Sequence, residues 1–285
     1  MTAPPMVDGA FARWLATRAG QALLDLRTEL GHADPGALKA AGDKLSHDLL
    51  RTELTRWRPA DAVLSEEDEG SRLAWAADAE PGLAPRLSAD RVWIIDPLDG
   101  TREFAEEGRT DWAVHVALWA RLAATPHGLA VGAIGLPAQH RVLGTDHPPA
   151  YPPMTLVAAT GGARTAAPDG TGRTIRLAAS RSRPPVFLTD LAAELGAELV
   201  PMGSAGAKIA AVIGGEVDGY VHAGGQYEWD SAAPVAVALA TGLYAARLDG
   251  SPLRYNRRDP WLPDLVVCHP ELADPLRAGL TEVYW

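Results

Sequence analysis

Two periodicities of apolar residues divide the chain into predicted helices and strands. Near the N-terminus the apolar positions follow helical spacing, which predicts an amphipathic helix over residues 8–30 that ends at Gly31. Those positions are Phe11, Trp14, Leu15, Ala22, Leu23, Leu26 and Leu30. A second helix is predicted over residues 43–57, where four leucines share one side.

Short apolar runs further along the chain predict strands. In the first half they cover residues 62–64, 92–95, 111–120 and 128–137. In the second half, predicted strands alternate with predicted helices, an order typical of an α/β layer. The predicted strands there are 174–180, 197–202, 217–223, 244–250 and 264–269, and the predicted helices are 185–196, 204–215 and 230–242.

A stretch rich in Pro, Gly and Thr separates these two patterns. Turn-forming residues at that density indicate loop rather than regular structure. The sequence therefore predicts an N-terminal α+β domain over residues 1–150, a linker over 151–173 and a C-terminal α/β domain over 174–285.

Composition and charge limit the classes of function. The chain has 285 residues, of which 47% are hydrophobic and 22% charged, as in ordinary globular proteins. No apolar run approaches the roughly 18 residues of a membrane span, and the N-terminus lacks a secretory pattern. The net charge of −10 argues against binding to a nucleic acid polymer. With Cys268 the only cysteine, no intrachain disulfide forms and a cytoplasmic location is expected.

The sequence VWIIDPLDGT, residues 92–101, places two carboxylates at the end of an apolar run. Pro97 cannot donate to a strand ladder and favours an extended Asp96, while Gly100 permits a sharp turn. Such a turn can direct Asp96, Asp99 and the Leu98 carbonyl at one point. Carboxylates that lie together repel unless a cation lies between them, and oxygen ligands suit Mg²⁺.

Other groups in the sequence can complete such a site. The N–H groups of Gly100 and Thr101 can hold an anion. Glu66 and Glu67 follow a predicted strand, and Asp230 opens a predicted helix. Taken singly, DPLDGT is also consistent with a surface turn, SEEDE with a solvated acidic loop, and Asp230 with a helix N-cap. The order of the three segments favours a metal site.

Together the segments SEE, DPLDGT and WDSAAP resemble the signature of the inositol monophosphatase family. Members of that family are Mg²⁺-dependent, Li⁺-sensitive phosphomonoesterases. The resemblance covers nearly the whole chain from Asp43 onward. It implies an α/β (α+β) fold built as a layered α-β-α-β-α sandwich, and hydrolysis of a phosphate ester by metal-activated water.

The resemblance also implies metal ligands at the matching positions. Glu66, Asp96 and the Leu98 carbonyl would hold a first Mg²⁺ ion. Asp96, Asp99 and Asp230 would hold a second. Two or three ions are implied in all, with inhibition by Li⁺.

Further roles follow from the same resemblance. Thr101 and Glu66 would orient the attacking water, and the N–H groups of Gly100 and Thr101 would bind the phosphate. Asp43 matches an Asp that tunes the water, through Thr101 or a third metal. The Thr that precedes this Asp in the family is missing, since the chain has KAAGDKLSH here.

Two later segments resemble one branch of the family, the CysQ-type 3′(2′),5′-bisphosphate nucleotidases in their actinobacterial form. LAASRSRPP is similar to that branch's Ser-Arg-Ser-His segment, with Arg183 in the place of His, and LDGSPLRYN is similar to its G-x-P-L-x-Y-N segment. The Arg-Glu-Phe after DPLDGT favours the same branch. The implied reaction, in sulfur assimilation, removes the 3′-phosphate of 3′-phosphoadenosine 5′-phosphate, with 3′-phosphoadenylyl sulfate as a second candidate.

A bisphosphate substrate needs a cation for its second phosphate. Arg181, beside Ser180, can hold phosphate through a fork of donors. Gly203 and Ser204 offer N–H groups at a predicted helix start, with Lys208 one turn further on. Each is equally consistent with an ordinary surface residue. The full set of candidate substrate-binding residues is Gly100, Thr101, Ser180, Arg181, Gly203, Ser204, Lys208 and Asp230.

Alternatives remain at this point. Within the family, the chain fits an inositol-1-phosphate or fructose-1,6-bisphosphate phosphatase. Among proteins that are not enzymes, it fits a catalytically silent regulator that binds a nucleotide or a metal. The presence of every implied metal ligand argues against that alternative. His222 lies near the position of the inositol branch's substrate-binding Glu and reads better as a core or rim histidine. A small phosphorylated nucleotide is the expected partner, no membrane is expected, and the chain is either a monomer or a homodimer.

Overall fold

The computed structural model describes residues 3–68, 85–154, 156–159, 162–166, 172–182 and 184–283. The helices in these ranges are α1 (Asp8–Leu30), α2 (Pro35–Trp57), α3 (Thr101–Ala105), α4 (Leu188–Leu195), α5 (Ala205–Ile213), α6 (Glu228–Thr241) and α7 (Pro270–Val283). The strands are β1 (Ala62–Ser65), β2 (Arg91–Asp99), β3 (Ala113–Ala120), β4 (Leu129–Leu136), β5 (Arg141–Gly144), β6 (Leu156–Ala159), β7 (Gly162–Ala166), β8 (Gly172–Thr174), β9 (Arg176–Ser180), β10 (Glu198–Met202), β11 (Gly219–Tyr227), β12 (Tyr244–Ala246) and β13 (Trp261–Cys268).

The strands form two five-stranded sheets and one small sheet. The first sheet has the order β1-β2-β3-β4-β5, parallel between β1 and β2 and antiparallel thereafter. The second has the order β10-β9-β11-β13-β12, in which β9, β10 and β11 are parallel and β13 runs against both its neighbours. Strands β6, β7 and β8 form the third. Both large sheets are therefore mixed.

The helices cover these two sheets in layers. α1 and α2 pack on one face of the first sheet, in a core that includes Trp93. α5 and α6 lie between the two large sheets, where Ile209 and Val235 belong to the central core. α4 and α7 cover the outer face of the second sheet through Leu191 and Leu276. The predicted α-β-α-β-α sandwich is confirmed.

The helix boundaries agree with the sequence at the end of α1 and differ most at the start of α2. α1 ends before Gly31, as predicted. The second helix was predicted to begin at Asp43, but α2 begins eight residues earlier, at Pro35. Asp34 caps it by accepting a hydrogen bond from the Ala37 N–H at 3.0 Å. Leu38 is the one large apolar residue in its first two turns, PGALKAAG, so periodicity could not reveal them. The C-terminal helix α7 was not predicted.

The predicted linker contains regular structure. Strands β6, β7 and β8 lie within residues 156–174, where Pro, Gly and Thr had indicated loop. Strands this short, separated by turn residues, leave no period-2 pattern to read. The division into domains 1–150 and 174–285 remains a prediction, although each half carries one of the large sheets. Within the described residues, no helix is both long enough and apolar enough to cross a membrane.

Candidate active site

The centre of the site is a bulge at the end of β2. The ladder between β2 and β3 shifts register between Asp96 and Asp99, so β2 does not end at Asp96 as predicted but continues to Asp99. Pro97 lies in this bulge, and its carbonyl accepts a hydrogen bond from the Ser46 hydroxyl of α2 at 2.6 Å. The Leu98 N–H donates to the Asp96 carboxylate at 3.1 Å. The missing proline N–H thus falls where the ladder is already interrupted.

Gly100 makes the turn from β2 into α3. It has a positive φ of 85° and is the N-cap residue of α3, which Thr101 begins. A Cβ atom at Gly100 would also lie 3.0 Å from the Ser204 Cβ atom. Both the backbone conformation and the close approach of another chain segment therefore favour glycine here, and the predicted sharp turn is present.

Asp99 is held by the start of α5. Its Oδ2 atom accepts hydrogen bonds from the Ser204 hydroxyl at 2.5 Å and from the Gly206 N–H at 2.7 Å. The Ser204 hydroxyl in turn accepts from the Ala207 N–H at 2.9 Å and caps the helix. The Ser204 side chain thus positions a carboxylate of the predicted metal site, and the predicted contact of its N–H group with substrate stays a prediction.

His115 lies beside the same carboxylates and was missed by sequence reasoning. Its ring is fully buried, and Nδ1–H donates to the Trp229 carbonyl at 3.1 Å. Nε2 is 3.4 Å from Asp99 Oδ2 and forms no hydrogen bond within the described residues. Burial lowers the pKa of His115, which favours the neutral ring with a lone pair on Nε2. The one available signal was a histidine in the apolar run AVHVALW.

Asp230 occupies the first turn of α6. The sequence is consistent with Asp230 as the N-cap residue of this helix, but the structure places another residue there. Tyr227 is the N-cap residue, and Asp230 is the third helical residue, N3. The Asp230 Oδ2 atom accepts a hydrogen bond from the Tyr227 N–H at 2.6 Å. This reciprocal cap holds Asp230 in place. The sequence placed Asp230 at the right end of the helix, but the N-cap residue lies three positions earlier, at Tyr227.

The acidic side chains raise one another's pKa values. Burial, followed by Asp230 and further carboxylates, raises the pKa of Glu66 to about 8. Burial and then Asp99 raise the pKa of Asp230 to about 7. Burial and then Glu66 hold the pKa of Asp96 well above its usual range. Such coupling requires the four carboxyl groups to lie close together, and it favours either protonation or a bound cation.

The donor set fits a divalent cation. Asp96, Asp99 and His115 each offer a ligand atom, and these atoms lie within 4.8 Å of one another. Buried carboxylate oxygens suit hard ions such as Mg²⁺, and an imidazole nitrogen is also a common ligand of transition metals. A cation at this point would relieve the repulsion among the carboxylates and give the unpaired His115 Nε2 atom an electrostatic partner.

Asp43 lies at the edge of this group, on α2. Its side chain is partly buried. Burial and then Glu67 raise the pKa of Asp43 to about 7, while Lys39 lowers it. The influence of Glu67 places Asp43 near the acidic segment after β1, and its implied role in tuning the water stays a prediction.

A cleft of about 580 Å³ opens over the site. Its walls come from both large sheets and their helices. Among the predicted site residues, those that line it are Asp99, Gly100, Thr101, Ser180, Gly203, Ser204, Lys208 and Asp230. Lys39 and Arg102 also line it and were not predicted. The size is that of an ordinary small-molecule site.

Arg181 does not line the cleft. Its guanidinium donates to the Glu103 carboxylate at 2.8 Å and to Glu106 at 2.7 and 3.1 Å. Because Glu103 and Glu106 follow directly on DPLDGT, these ion pairs tie the end of β9 to α3. The predicted contact of Arg181 with substrate stays a prediction. Arg183, the other arginine of that segment, lies outside the described residues.

Gly203 and Lys208 are also engaged by other groups. The Gly203 N–H, predicted as a phosphate donor, donates to the Asp111 carboxylate at 2.5 Å. The Lys208 ammonium donates to the Gly203 carbonyl, and its Nζ atom lies 5.1 Å from the centre of the Tyr220 ring. Burial lowers the pKa of Lys208, against the opposing effect of Asp99 and other nearby carboxylates. Lys208 nevertheless lines the cleft, as a substrate-binding residue must.

This fold and this site define a class of protein. The model of the inositol monophosphatase family matches residues 9–281. The chain therefore belongs to the inositol monophosphatase family, and the resemblance based on SEE, DPLDGT and WDSAAP is confirmed.

Individual relatives show which members of the family this chain is similar to. The chain is 48% identical to a Mycobacterium leprae protein named 3′-phosphoadenosine 5′-phosphate phosphatase, over 98% of this chain and 95% of that protein. It is 28% identical to the Escherichia coli 3′(2′),5′-bisphosphate nucleotidase CysQ, over 87% and 94%. The solved structure of CysQ from Bacteroides thetaiotaomicron shares the fold, with a TM-score of 0.67 at 24% identity over 90% and 95% of the two chains. The predicted class, a phosphomonoesterase of this family, is confirmed.

Proposed function

We propose that the protein is a Mg²⁺-dependent phosphatase that removes the 3′-phosphate of 3′-phosphoadenosine 5′-phosphate and leaves AMP. The observation that carries the proposal is a crowded group of carboxylates, Asp96, Asp99, Asp230 and Glu66, of which Asp99 and Asp230 line the cleft. The names of the relatives supply the substrate. 3′-Phosphoadenylyl sulfate, which carries the same 3′-phosphate, is the second substrate that we propose.

In this proposal Glu66, Asp96 and the Leu98 carbonyl hold one Mg²⁺ ion, and Asp96, Asp99 and Asp230 hold a second. Bound divalent cations supply an activated water and neutralise the charge of the phosphate. The raised pKa values of Glu66, Asp96 and Asp230 support this assignment, because the same crowding that favours protonation favours a cation. We propose that Li⁺ inhibits by competing at these ligands.

The chain's own groups then align the reactants. We assign the Thr101 hydroxyl and the Glu66 carboxylate to hold the attacking water, and the N–H groups of Gly100 and Thr101 to hold the phosphate. The water loses a proton and forms a new P–O bond, while the bond from phosphorus to the ribose 3′-oxygen breaks and that oxygen takes up a proton. Asp43, whose pKa is raised by burial and by Glu67, lies at the edge of the site, and we assign it to tune the attacking water through Thr101 or a third metal.

The second phosphate is assigned to the opposite wall of the cleft. Ser180 and Lys208 line it and are the best placed of the predicted contacts. Arg181 would have to exchange its present carboxylate partners for the phosphate, and the Gly203 N–H would have to leave Asp111. Lys208 would have to leave only the neutral Gly203 carbonyl, whereas Arg181 and Gly203 would have to leave carboxylates, so we rank Ser180 and Lys208 above Arg181 and Gly203 as substrate contacts.

The test is a comparison of three esters under one set of conditions. Phosphate release is measured from 3′-phosphoadenosine 5′-phosphate, inositol-1-phosphate and fructose-1,6-bisphosphate, with Mg²⁺, with EDTA, and with Mg²⁺ plus Li⁺. We expect the nucleotide to have the highest kcat/KM, with activity lost in EDTA and reduced by Li⁺. A preference for the inositol or fructose ester would contradict the proposed assignment of the nucleotide as substrate. No Mg²⁺-dependent release from any of the three would overturn the enzymatic function.

A further inference from the structure

An unpartnered amide lies in the wall of the cleft. Gln226 is on β11, at the point where the ladder with β13 shifts register between Ala223 and Gln226. The residue lines the cleft but is only 7% exposed. Neither its Nε2 nor its Oε1 atom has a hydrogen-bond partner among the described residues. A buried amide with no partner at either end is rare in native proteins and indicates a missing ligand or water.

The neighbouring histidine, His222, does have hydrogen-bond partners. His222 Nε2–H donates to the Gly225 carbonyl at 3.1 Å, and His222 Nδ1 lies 3.2 Å from the Tyr220 hydroxyl, which can donate to it. Both nitrogens of this ring are therefore satisfied by the protein. The Gln226 amide, unlike the His222 ring, is therefore left to bind something else.

Two aromatic rings lie next to Gln226. Trp261, on β13, lines the cleft with 44% of its surface exposed, unusual for so large an apolar side chain. The Tyr227 ring meets it edge to face, with ring centres 5.5 Å apart at an angle of 80°. A planar ligand can pack on such a surface, because aromatic rings stack on one another and on nucleic acid bases.

The backbone is shaped to admit this tryptophan. Gly225 has a positive φ of 87°, and a Cβ atom built on it would lie 1.8 Å from the Trp261 ring. Gly224, with a φ of 99°, precedes it. The two glycines lie in the register shift of β11, and the indole that packs over Gly225 lines the same cleft as the Gln226 amide. Any larger residue at position 225 would displace the ring.

This wall is joined directly to the proposed metal site. The Tyr227 N–H donates to the Asp230 carboxylate at 2.6 Å, and Asp99 and Asp230 line the same cleft as Gln226 and Trp261. A nucleotide whose phosphate lies at the carboxylates therefore has its base within the same cavity. The base can reach the β11 wall without leaving the cleft.

We propose that Gln226, Tyr227 and Trp261 form the subsite for the purine base, in which the Gln226 amide reads the edge of adenine. This inference rests on the proposed function, since it takes its base from the proposed substrate. An amide offers one donor and one acceptor side by side, which match adenine N7 and the adenine 6-amino group. The rings of Trp261 and Tyr227 pack against the base. The 6-amino group is the recognised feature.

The decisive experiment measures binding and turnover for two ligand pairs that differ only in the 6-amino group. The first pair is AMP and purine riboside 5′-phosphate, whose dissociation constants are measured by calorimetry. The second is the corresponding pair of 3′,5′-bisphosphates, whose kcat/KM values are compared. We expect the wild-type protein to favour the amino-bearing ligand by about tenfold, the size of one lost hydrogen bond to a buried polar group.

Variants assign that preference to the amide. Gln226→Leu removes both hydrogen-bonding atoms, so the ratio between the two ligands should fall close to one. Gln21→Leu makes the same change at an exposed position of α1 and should leave the ratio as in wild type. Trp261→Ala should weaken both ligands of a pair together, because it removes packing rather than edge recognition. The ratio between the two ligands of a pair does not depend on the fraction of protein that is folded. If Gln226→Leu does not fold, Gln226→Glu replaces it, because it removes the amide donor and should also lower the ratio.

The outcomes separate this inference from the proposed function. A wild-type ratio near one, or a ratio that persists in Gln226→Leu, would overturn the subsite even if the bisphosphate is hydrolysed. Absence of hydrolysis would overturn the proposed function, while the AMP binding ratios would still decide the subsite.

Discussion

Asp99 is fixed from one side so that its other side can face the cleft. Within the described residues, its hydrogen bonds all reach Oδ2, from the Ser204 hydroxyl and the Gly206 N–H. His115 Nε2 lies 3.4 Å from the same oxygen. A carboxylate oriented in this way loses little freedom when it binds a metal, which is how groups behind a ligand raise metal affinity.

Replacing Asp99 tests the proposed metal site at the residue scale. Asp99→Asn keeps the shape but removes the charge that a cation needs, so we expect Mg²⁺-dependent turnover to fall by about 100-fold or more. Binding of Mg²⁺ in calorimetry should weaken in parallel, while the circular dichroism spectrum remains that of wild type. Asp48→Asn, on an exposed turn of α2, is the matched control. Near-normal turnover of Asp99→Asn would refute the assignment.

A second residue-scale prediction concerns the contact between α5 and β3. A Cβ atom at Gly206 would lie 1.9 Å from His115 Nε2, so Gly206→Ala forces the buried ring or the helix to move. We expect a loss of about 1–3 kcal/mol in the free energy of unfolding, as for other overpacked cores. Chemical denaturation measures it. Gly36→Ala, whose nearest contact is 3.4 Å away, should cause no such loss. Equal stability of the two variants would contradict the described contact.

The sequence could identify the carboxylates but not what holds them. Asp96, Asp99 and Asp230 lie in short motifs whose spacing is local, so their likeness to a family signature was enough. The bond from the Gly203 N–H to Asp111, and the approach of His115 to Asp99, join segments that are distant in the chain. Such contacts depend on how the sheets and helices pack, which no local pattern encodes.

At the scale of elements, helix starts and strand ends converge on the cleft. β2 delivers Asp96 and Asp99, α5 begins at their side, and α6 carries Asp230 in its first turn. Helix N-termini favour nearby negative charge, so α5 stabilises the Asp99 carboxylate that its Gly206 N–H contacts. Strands with clear apolar runs were predictable. The early turns of α2 were not, because small and turn-forming residues dominate them, and β6 to β8 were not, because these strands are only four, five and three residues long.

One ion-pair group links two of these elements. Arg181 joins the end of β9 to Glu103 and Glu106 of the segment that begins with α3. We expect Arg181→Ala and Glu103→Gln each to lower the melting temperature, and the double variant to lower it by less than the sum. The exposed pair Arg277 and Asp274 on α7 should show coupling close to zero in the same cycle. Additive effects at Arg181 and Glu103 would mean that the bridge does not join the elements in solution.

At the scale of the whole molecule, the cleft belongs to both halves of the chain. The central core contains Ile94 and Ala117 from the first sheet together with Leu265 and Val267 from the second. The proposed metal ligands likewise come from both sides of the predicted linker. The layered fold was predictable because the resemblance extends over nearly the whole chain. The cleft that forms between the halves was not, because its shape depends on their packing.

The crowded carboxylates predict how stability depends on pH. The pKa values of Glu66, raised to about 8, and of Asp43 and Asp230, each raised to about 7, exceed the values of 4.5 and 3.8 expected for such groups when exposed. The folded protein without metal therefore binds more protons than the unfolded chain, and its stability falls as pH rises from about 4 to 8. Mg²⁺ should remove most of that fall. Thermal unfolding at several pH values, in EDTA and in Mg²⁺, measures both effects, and parallel profiles would contradict the prediction.

The position of the cleaved bond tests the central claim most directly. Purified protein is incubated with 3′-phosphoadenosine 5′-phosphate and Mg²⁺, and the products are followed by phosphorus NMR against authentic standards. We predict that inorganic phosphate and 5′-AMP appear together in equal amounts, and that EDTA abolishes both signals. Formation of the 3′-monophosphate instead, or an unchanged substrate in the presence of Mg²⁺, would contradict the proposed function.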